Sequence, residues 1–177
     1  VVELMNNAGR GQATIIGGSM GGHLALLVAL NHPDRVTKLV LMGSSGAWPK
    51  PGILLVAGIE AFWGDAVATD HLRRNWPDIF SRLFKHKNAM TQRLFRCQMA
   101  LRADPAKYTA EGRASSRSLR SIFFNSCRDR LSQVVQPTLL IWGESDCFHL
   151  QNEARCFRER LPDAVQVTVP DAAHEVM

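Results

Sequence analysis

The sequence predicts an α/β fold, a mostly parallel sheet alternating with helices and carrying a long helical insertion, and three observations predict it. A short apolar run, Ala13-Thr14-Ile15-Ile16, meets a glycine-rich turn and then an apolar stretch from Met20 to Leu30 long enough for a helix. Two strand-like segments follow far downstream: Pro137 to Trp142, and the alternating Val165, Val167 and Val169. Between the first stretch and these two, from Gly46 to Leu131, the apolar spacing becomes helical.

Taken in chain order, Val1 to Gly11 reads as the tail of a helix. Gly17-Gly18-Ser19-Met20-Gly21-Gly22 then forms a sharp turn between strand and helix with a serine at its apex. Gly-x-Ser-x-Gly in that context is a nucleophile elbow, in which crowding calls for residues without side chains at Gly17 and Gly21. Phosphate binding is the competing reading of such a turn. It is disfavoured, because no Lys follows as in G-x-x-x-x-G-K-[ST] and the spacing is not G-x-G-x-x-G.

A serine hydroxyl needs a base and a group that orients the base. Asp146 sits just past the run ending at Gly143, and His174 lies four residues beyond Pro170. Ser19, Asp146 and His174 thus occur in the order Ser, acid, His, each past the carboxyl end of a strand, where parallel sheets bind ligands. Rivals exist for each partner. Glu144 and Asp171 compete as the acid, His149 and His23 as the base, and Asp146 could simply cap the helix that includes Glu153 to Leu161. His23, one turn into the elbow helix, is expected to pack or meet solvent.

Composition narrows the class further. The chain is 46% hydrophobic and 21% charged, with no apolar run near the length of a membrane span and no signal-peptide pattern. Ile53 to Ile59 is apolar, but Pro51, Glu60 and Asp65 around it make it a buried or lid helix. Cys97, Cys127, Cys147 and Cys156 form no Cys-x-x-Cys pair and have no His at zinc spacing, so we expect reduced thiols, no metal and a cytoplasmic protein. Residues 50–131 carry 15 Lys and Arg against 7 Asp and Glu, and the remainder 6 against 9. A basic insertion could attract acidic substrates. The basic residues are scattered over amphipathic helices without a reader motif, which argues against nucleic acid. The expected partner is a small-molecule substrate, with no cofactor and no membrane; a homo-oligomer stays open.

The insertion shows three apolar stripes: Leu72, Trp76, Ile79, Phe80, Leu83 and Phe84; then Leu94, Phe95, Met99 and Leu101; then Leu119, Ile122 and Phe123. Pro77 and Pro105 are expected to break its helices. The boundaries that follow are 1–49 and 132–177 for the core and 50–131 for the insertion.

With these motifs in place, the chain resembles the α/β-hydrolase-fold serine hydrolases. The resemblance rests on Gly-Gly-Ser-Met-Gly-Gly-His-Leu-Ala from Gly17, on His32-Pro33-Asp34-Arg35-Val36, and on Lys38-Leu39-Val40-Leu41-Met42-Gly43 as the next strand. Trp142-Gly143-Glu144-Ser145-Asp146 is similar to the family's acid loop, and Ala173-His174-Glu175 to its histidine loop. It implies the C-terminal portion of the hydrolase sheet with the insertion as a helical cap. It also implies a triad of Ser19, Asp146 and His174 acting through an acyl-enzyme, with Met20 N–H as one oxyanion donor. The family's upstream His-Gly loop, source of the other donor, has no counterpart before Gly17. The chain is therefore expected to be an internal fragment with little turnover by itself. Tyr108-Thr109-Ala110-Glu111-Gly112-Arg113 resembles a cap helix of the carbon–carbon bond hydrolases of aromatic ring degradation, which implies Arg113 as a substrate contact. That subgroup has asparagine where this chain has Gly18, and tryptophan where it has Glu175. A small carboxylic ester is the leading substrate expectation and a 2-hydroxy-6-oxo-dienoate the alternative; an acyltransferase, or an inactive fragment or binding protein, stands behind both.

Overall fold

The computed structural model describes residues 1–49, 65–104, 109–110, 113–114, 117–118, 121–122 and 124–176, with residues 65–73 as helical backbone only. The apolar stretch Ile53 to Ile59, together with Pro105, Tyr108, Gly112, Leu119, Phe123 and the side chain of Leu72, lies outside the described residues. The chain divides into two compact units: Val1–Pro49 with Asn125–Met177, and Lys50–Phe124.

The first unit is a four-stranded parallel sheet in the order β1 (Ala13–Gly18), β2 (Val36–Met42), β3 (Thr138–Gly143), β4 (Ala164–Val169). Parallel neighbours need crossover connections. Helix α2 (Met20–Asn31) supplies the first and α5 (Gln151–Arg160) the last, while the second unit is inserted between β2 and β3. Helix α1 (Val2–Asn7) precedes β1, and Arg35 Nη2 ties it to the sheet by donating to Asn6 Oδ1 at 2.6 Å.

One apolar cluster joins α2, α5 and one face of the sheet: Leu26 and Ala29 with Leu39, Leu41, Leu140, Trp142 and Phe157. Trp142 and Phe157 are fully buried with ring centroids 5.9 Å apart. Such a pair contributes ~0.5–1.5 kcal/mol beyond the area it buries. Cys127 and Leu131 belong to this cluster, and Cys127 N–H donates to the Gly46 carbonyl at 2.8 Å. The first unit accordingly resumes at Asn125, seven residues before the expected start at 132. The reason is that the 3₁₀ turn Arg128–Gln133 buries Leu131 beneath the sheet.

The register matters most for function. Gly18 pairs with Met42, Met42 with Ile141, and Gly143 with Val169. β1 and β2 therefore end level, β3 and β4 run two residues further, and the loops after all four share one rim.

In the second unit, α3 (Asp65–Leu83) and α4 (Ala89–Arg102) meet through aromatic rings: Phe80 lies 5.0 Å from both Phe84 and Phe95, centroid to centroid. Pro77 sits inside α3 without ending it, contrary to expectation, as aromatic packing on both sides (Trp76 and Phe80, 6.2 Å) holds the turn. Of the second stripe only Phe95 packs this way. Leu94, Met99 and Leu101 stay exposed, so helical spacing alone overstated their burial. An Asn88–Thr91 capping box starts α4.

Candidate active site

Ser19 stands between β1 and α2 with φ +50° and ψ −119°, a backbone conformation that costs a non-glycine residue ~1–3 kcal/mol. The neighbouring strand end holds it there. Ser19 N–H donates to the Met42 carbonyl at 2.9 Å, and the Ser19 carbonyl accepts from Ser45 N–H at 3.1 Å and Ser45 Oγ at 3.2 Å. Ser44 and Ser45 are both buried. Met20 opens α2, so its N–H is one of the first-turn donors that a helix leaves without an internal acceptor.

Of the two elbow glycines, Gly17 meets the expected crowding and Gly21 does not. A Cβ on Gly17 would lie 2.4 Å from the Gly21 carbonyl oxygen, so that position is closed to any side chain. A Cβ on Gly21 would meet nothing within 4 Å. The crowding on the helix side falls on Gly22, whose Cβ would lie 2.2 Å from Ser44 Oγ. Gly21 is thus corrected: its backbone presses on residue 17, while its side-chain position is open. Gly18 is exposed and lines the cavity described below.

Asp146 and His174 are buried and face each other, His174 Nδ1–H donating to Asp146 Oδ2 at 3.0 Å. The other carboxylate oxygen, Oδ1, accepts from the backbone N–H groups of Phe148 and His149, each at 2.9 Å. Burial by itself would raise the Asp146 pKa. The hydrogen bonds from His174, His149 and Phe148 and the charge of His174 outweigh it and hold the carboxyl below its ordinary value. Asp146 does not cap α5, which starts at Gln151 without a side-chain cap. The two loops are stitched by Glu144 N–H to the Val169 carbonyl (3.0 Å) and Ser145 N–H to the Ala172 carbonyl (2.8 Å). Gly143 permits this approach, because a Cβ there would stand 1.9 Å from the Ala173 carbonyl oxygen.

Ser19 and His174 line one cavity of about 220 Å³ together with Gly18, Met42, Glu175 and Val176. With Nδ1 committed to Asp146, Nε2 is the ring's acceptor. Among the described residues, no direct hydrogen bond joins the Ser19 hydroxyl to it.

The rivals fall elsewhere. His23 is buried and bonded through Nε2 to the Asn125 carbonyl at 2.9 Å; burial lowers its pKa despite that bond, keeping it a neutral packing group. Glu144 and Asp171 are exposed and bond each other's loop, Glu144 Oε2 accepting from Asp171 N–H at 3.1 Å. His149 is buried and engaged, Nδ1 lying 2.8 Å from Glu153 Oε2, with its ring 5.2 Å from that of His174. The i,i+4 spacing of His149 and Glu153 was readable in the sequence, yet their place behind His174 depends on the loop that Trp142 Nε1–H anchors at the His149 carbonyl (2.7 Å). Arg113 lies in the second unit, helical and exposed, on a groove it shares with Arg117.

A parallel sheet with a strained serine at one strand end and a buried Asp–His pair at two others defines the α/β-hydrolase class of site. The alpha/beta hydrolase fold family matches residues 1–177, and the chain belongs to it. It is 30% identical over 146 residues to a 2-hydroxy-6-oxononadienedioate/2-hydroxy-6-oxononatrienedioate hydrolase of Burkholderia vietnamiensis, covering 82% of this chain and 50% of that protein. It is 29% identical over 172 residues to a pimeloyl-[acyl-carrier protein] methyl ester esterase of Nitrosospira multiformis, covering 90% of this chain and 60% of that protein. A solved meta-cleavage product hydrolase from Pseudomonas fluorescens superposes with a TM-score of 0.69 at 21% identity, covering 98% of this chain and 61% of that one; at that identity it shows the fold alone. The chain spans about half the length of the curated hydrolase relatives it matches.

Among the described residues, no helix is long and apolar enough to cross a membrane, and no group of His, Cys, Asp and Glu is placed to hold a metal ion.

Proposed function

We propose that the chain carries the catalytic residues of a serine hydrolase that cleaves a small carboxylic ester or related carbonyl compound through an acyl-enzyme. The observation that carries this reading is the buried Asp146–His174 bond of 3.0 Å on the rim of the cavity that Ser19 also lines. Ser19 Oγ attacks the substrate carbonyl as His174 Nε2 takes its proton. Asp146 fixes the imidazole in the Nδ1–H form and offsets its charge when it becomes imidazolium. The Met20 N–H at the helix start donates to the developing oxyanion, and removing one such donor costs ~100-fold or more in rate. His174 then returns the proton to the leaving group, and water repeats the sequence on the acyl-enzyme.

A second reading is carbon–carbon cleavage of a 2-hydroxy-6-oxo-dienoate. The activities named for several relatives and the Gly112-Arg113 pair favour it. Ser19 rather than a carboxylate at the elbow disfavours dehalogenase and epoxide hydrolase chemistry in either case. Turnover of a panel of p-nitrophenyl esters against a 2-hydroxy-6-oxo-dienoate by the whole protein, repeated with a competing alcohol, tests both. The ester reading expects ester hydrolysis that disappears in Ser19→Ala. Turnover of the dienoate alone would replace it with the second reading, and transfer to the alcohol in preference to water would make the protein an acyltransferase.

A further inference from the structure

The cavity in front of Ser19 and His174 has an acidic wall. Glu175 directly follows His174, is half-buried, and lines the cavity with Gly18, Ser19, Met42 and Val176. Among the described residues on that lining, the other ionisable group is His174, whose Nδ1–H is held by Asp146. Ser19, Gly18, Met42 and Val176 carry no charge that could neutralise the Glu175 carboxylate.

We propose that Glu175 is a specificity-determining residue that selects substrates whose acyl group is uncharged or cationic and rejects those whose acyl group carries a carboxylate. This deepens the serine hydrolase reading and rests on it. A cavity of about 220 Å³ is small enough that any group next to the reacting carbonyl lies within a few ångströms of its wall. Two like charges at that range repel strongly, and because Glu175 is only half-buried the repulsion is partly screened by salt. The repulsion acts on the bound substrate and persists in the transition state, so it lowers kcat/KM for the anion and leaves the neutral analogue unaffected. A neutral acyl group suffers no such cost, and a cationic one gains. By this argument the substrate is an uncharged ester, in contrast to the dicarboxylates for which several relatives are named.

The test compares two esters of equal acyl length, p-nitrophenyl hexanoate and mono-p-nitrophenyl adipate, using the whole protein and its Glu175→Gln variant. The wild type is expected to prefer the hexanoate. In Glu175→Gln the adipate-to-hexanoate ratio of kcat/KM rises about tenfold, and Glu175→Asp keeps the wild-type ratio. Raising ionic strength narrows the wild-type discrimination but not that of Glu175→Gln, a readout that stands even if the variant expresses poorly, because the wild-type arm alone must show it. An unchanged ratio in Glu175→Gln, or a salt-independent wild-type preference, overturns the inference while leaving the hydrolase reading intact. Absence of any Ser19-dependent ester hydrolysis overturns both.

Discussion

Replacing the glycines around Ser19 by alanine, one at a time, separates crowding from sequence pattern. At residue 17 the new Cβ would stand 2.4 Å from the Gly21 carbonyl oxygen and 2.5 Å from its carbon, both backbone atoms that cannot shift without moving Ser19. At residue 22 it would stand 2.2 Å from Ser44 Oγ and 2.6 Å from Ser44 Cβ, in a fully buried serine. At residue 21 it would meet open space. Overpacking costs ~1–3 kcal/mol and more where backbone must yield, whereas alanine in place of glycine inside a helix returns ~1 kcal/mol. Gly17→Ala, with rigid obstacles, is therefore expected to lose about 3 kcal/mol or more. Gly22→Ala loses up to about 2 kcal/mol after the helical gain. Gly21→Ala is neutral or gains up to about 1 kcal/mol. Urea unfolding of the three variants, with ester turnover measured alongside, reads these differences as midpoint shifts. Gly21→Ala as damaging as Gly17→Ala, or Gly17→Ala as stable as the parent, would refute the reasoning.

Two further predictions follow from buried titratable groups. Asp146 has a folded pKa below its unfolded value of about 3.9. Its contribution to stability is thus complete above about pH 4 and lost as pH falls through the lower folded value; urea midpoints from pH 5 down to 2 should show that slope in the wild type and not in Asp146→Asn. Burial pushes the Cys127 thiol up to about 11 despite the nearby Arg130 charge, and Cys156 is also buried, whereas Cys97 and Cys147 are exposed. A disulfide reagent at pH 8 should therefore modify two thiols promptly and the other two only on unfolding; prompt modification of all four would contradict the packing described around Leu131.

The parts of the fold that were readable in the sequence are those set by local rules. Ile15-Ile16 running into Gly17, and the apolar stretch that becomes α2, announce a strand, a turn and a helix without reference to the rest of the chain. The order Ser19, Asp146, His174 was legible because parallel strands end on a common rim, which the register Gly18–Met42–Ile141 realises. What escaped depends on distant partners. Gly22 is confined by Ser44, which reaches it only because β2 pairs with β1. Ser45 supports the Ser19 carbonyl for the same reason. His149 reads as a rival base until its partner Glu153 and the Trp142 anchor are in place. Pro77 reads as a helix end, yet α3 runs through it because Phe80 and Trp76 pack around that turn. The stripe through Leu94, Met99 and Leu101 shows the converse error, since periodicity marks a face without saying what covers it.

The central claim is that Ser19 becomes covalently acylated. Mass spectrometry of the whole protein after brief exposure to a fluorophosphonate tests it most directly. The account predicts one adduct, on the peptide containing Ser19, formed with loss of ester turnover and greatly slowed in His174→Ala. Turnover that survives complete labelling elsewhere, or a folded and active protein whose Ser19 peptide stays unmodified, would contradict it.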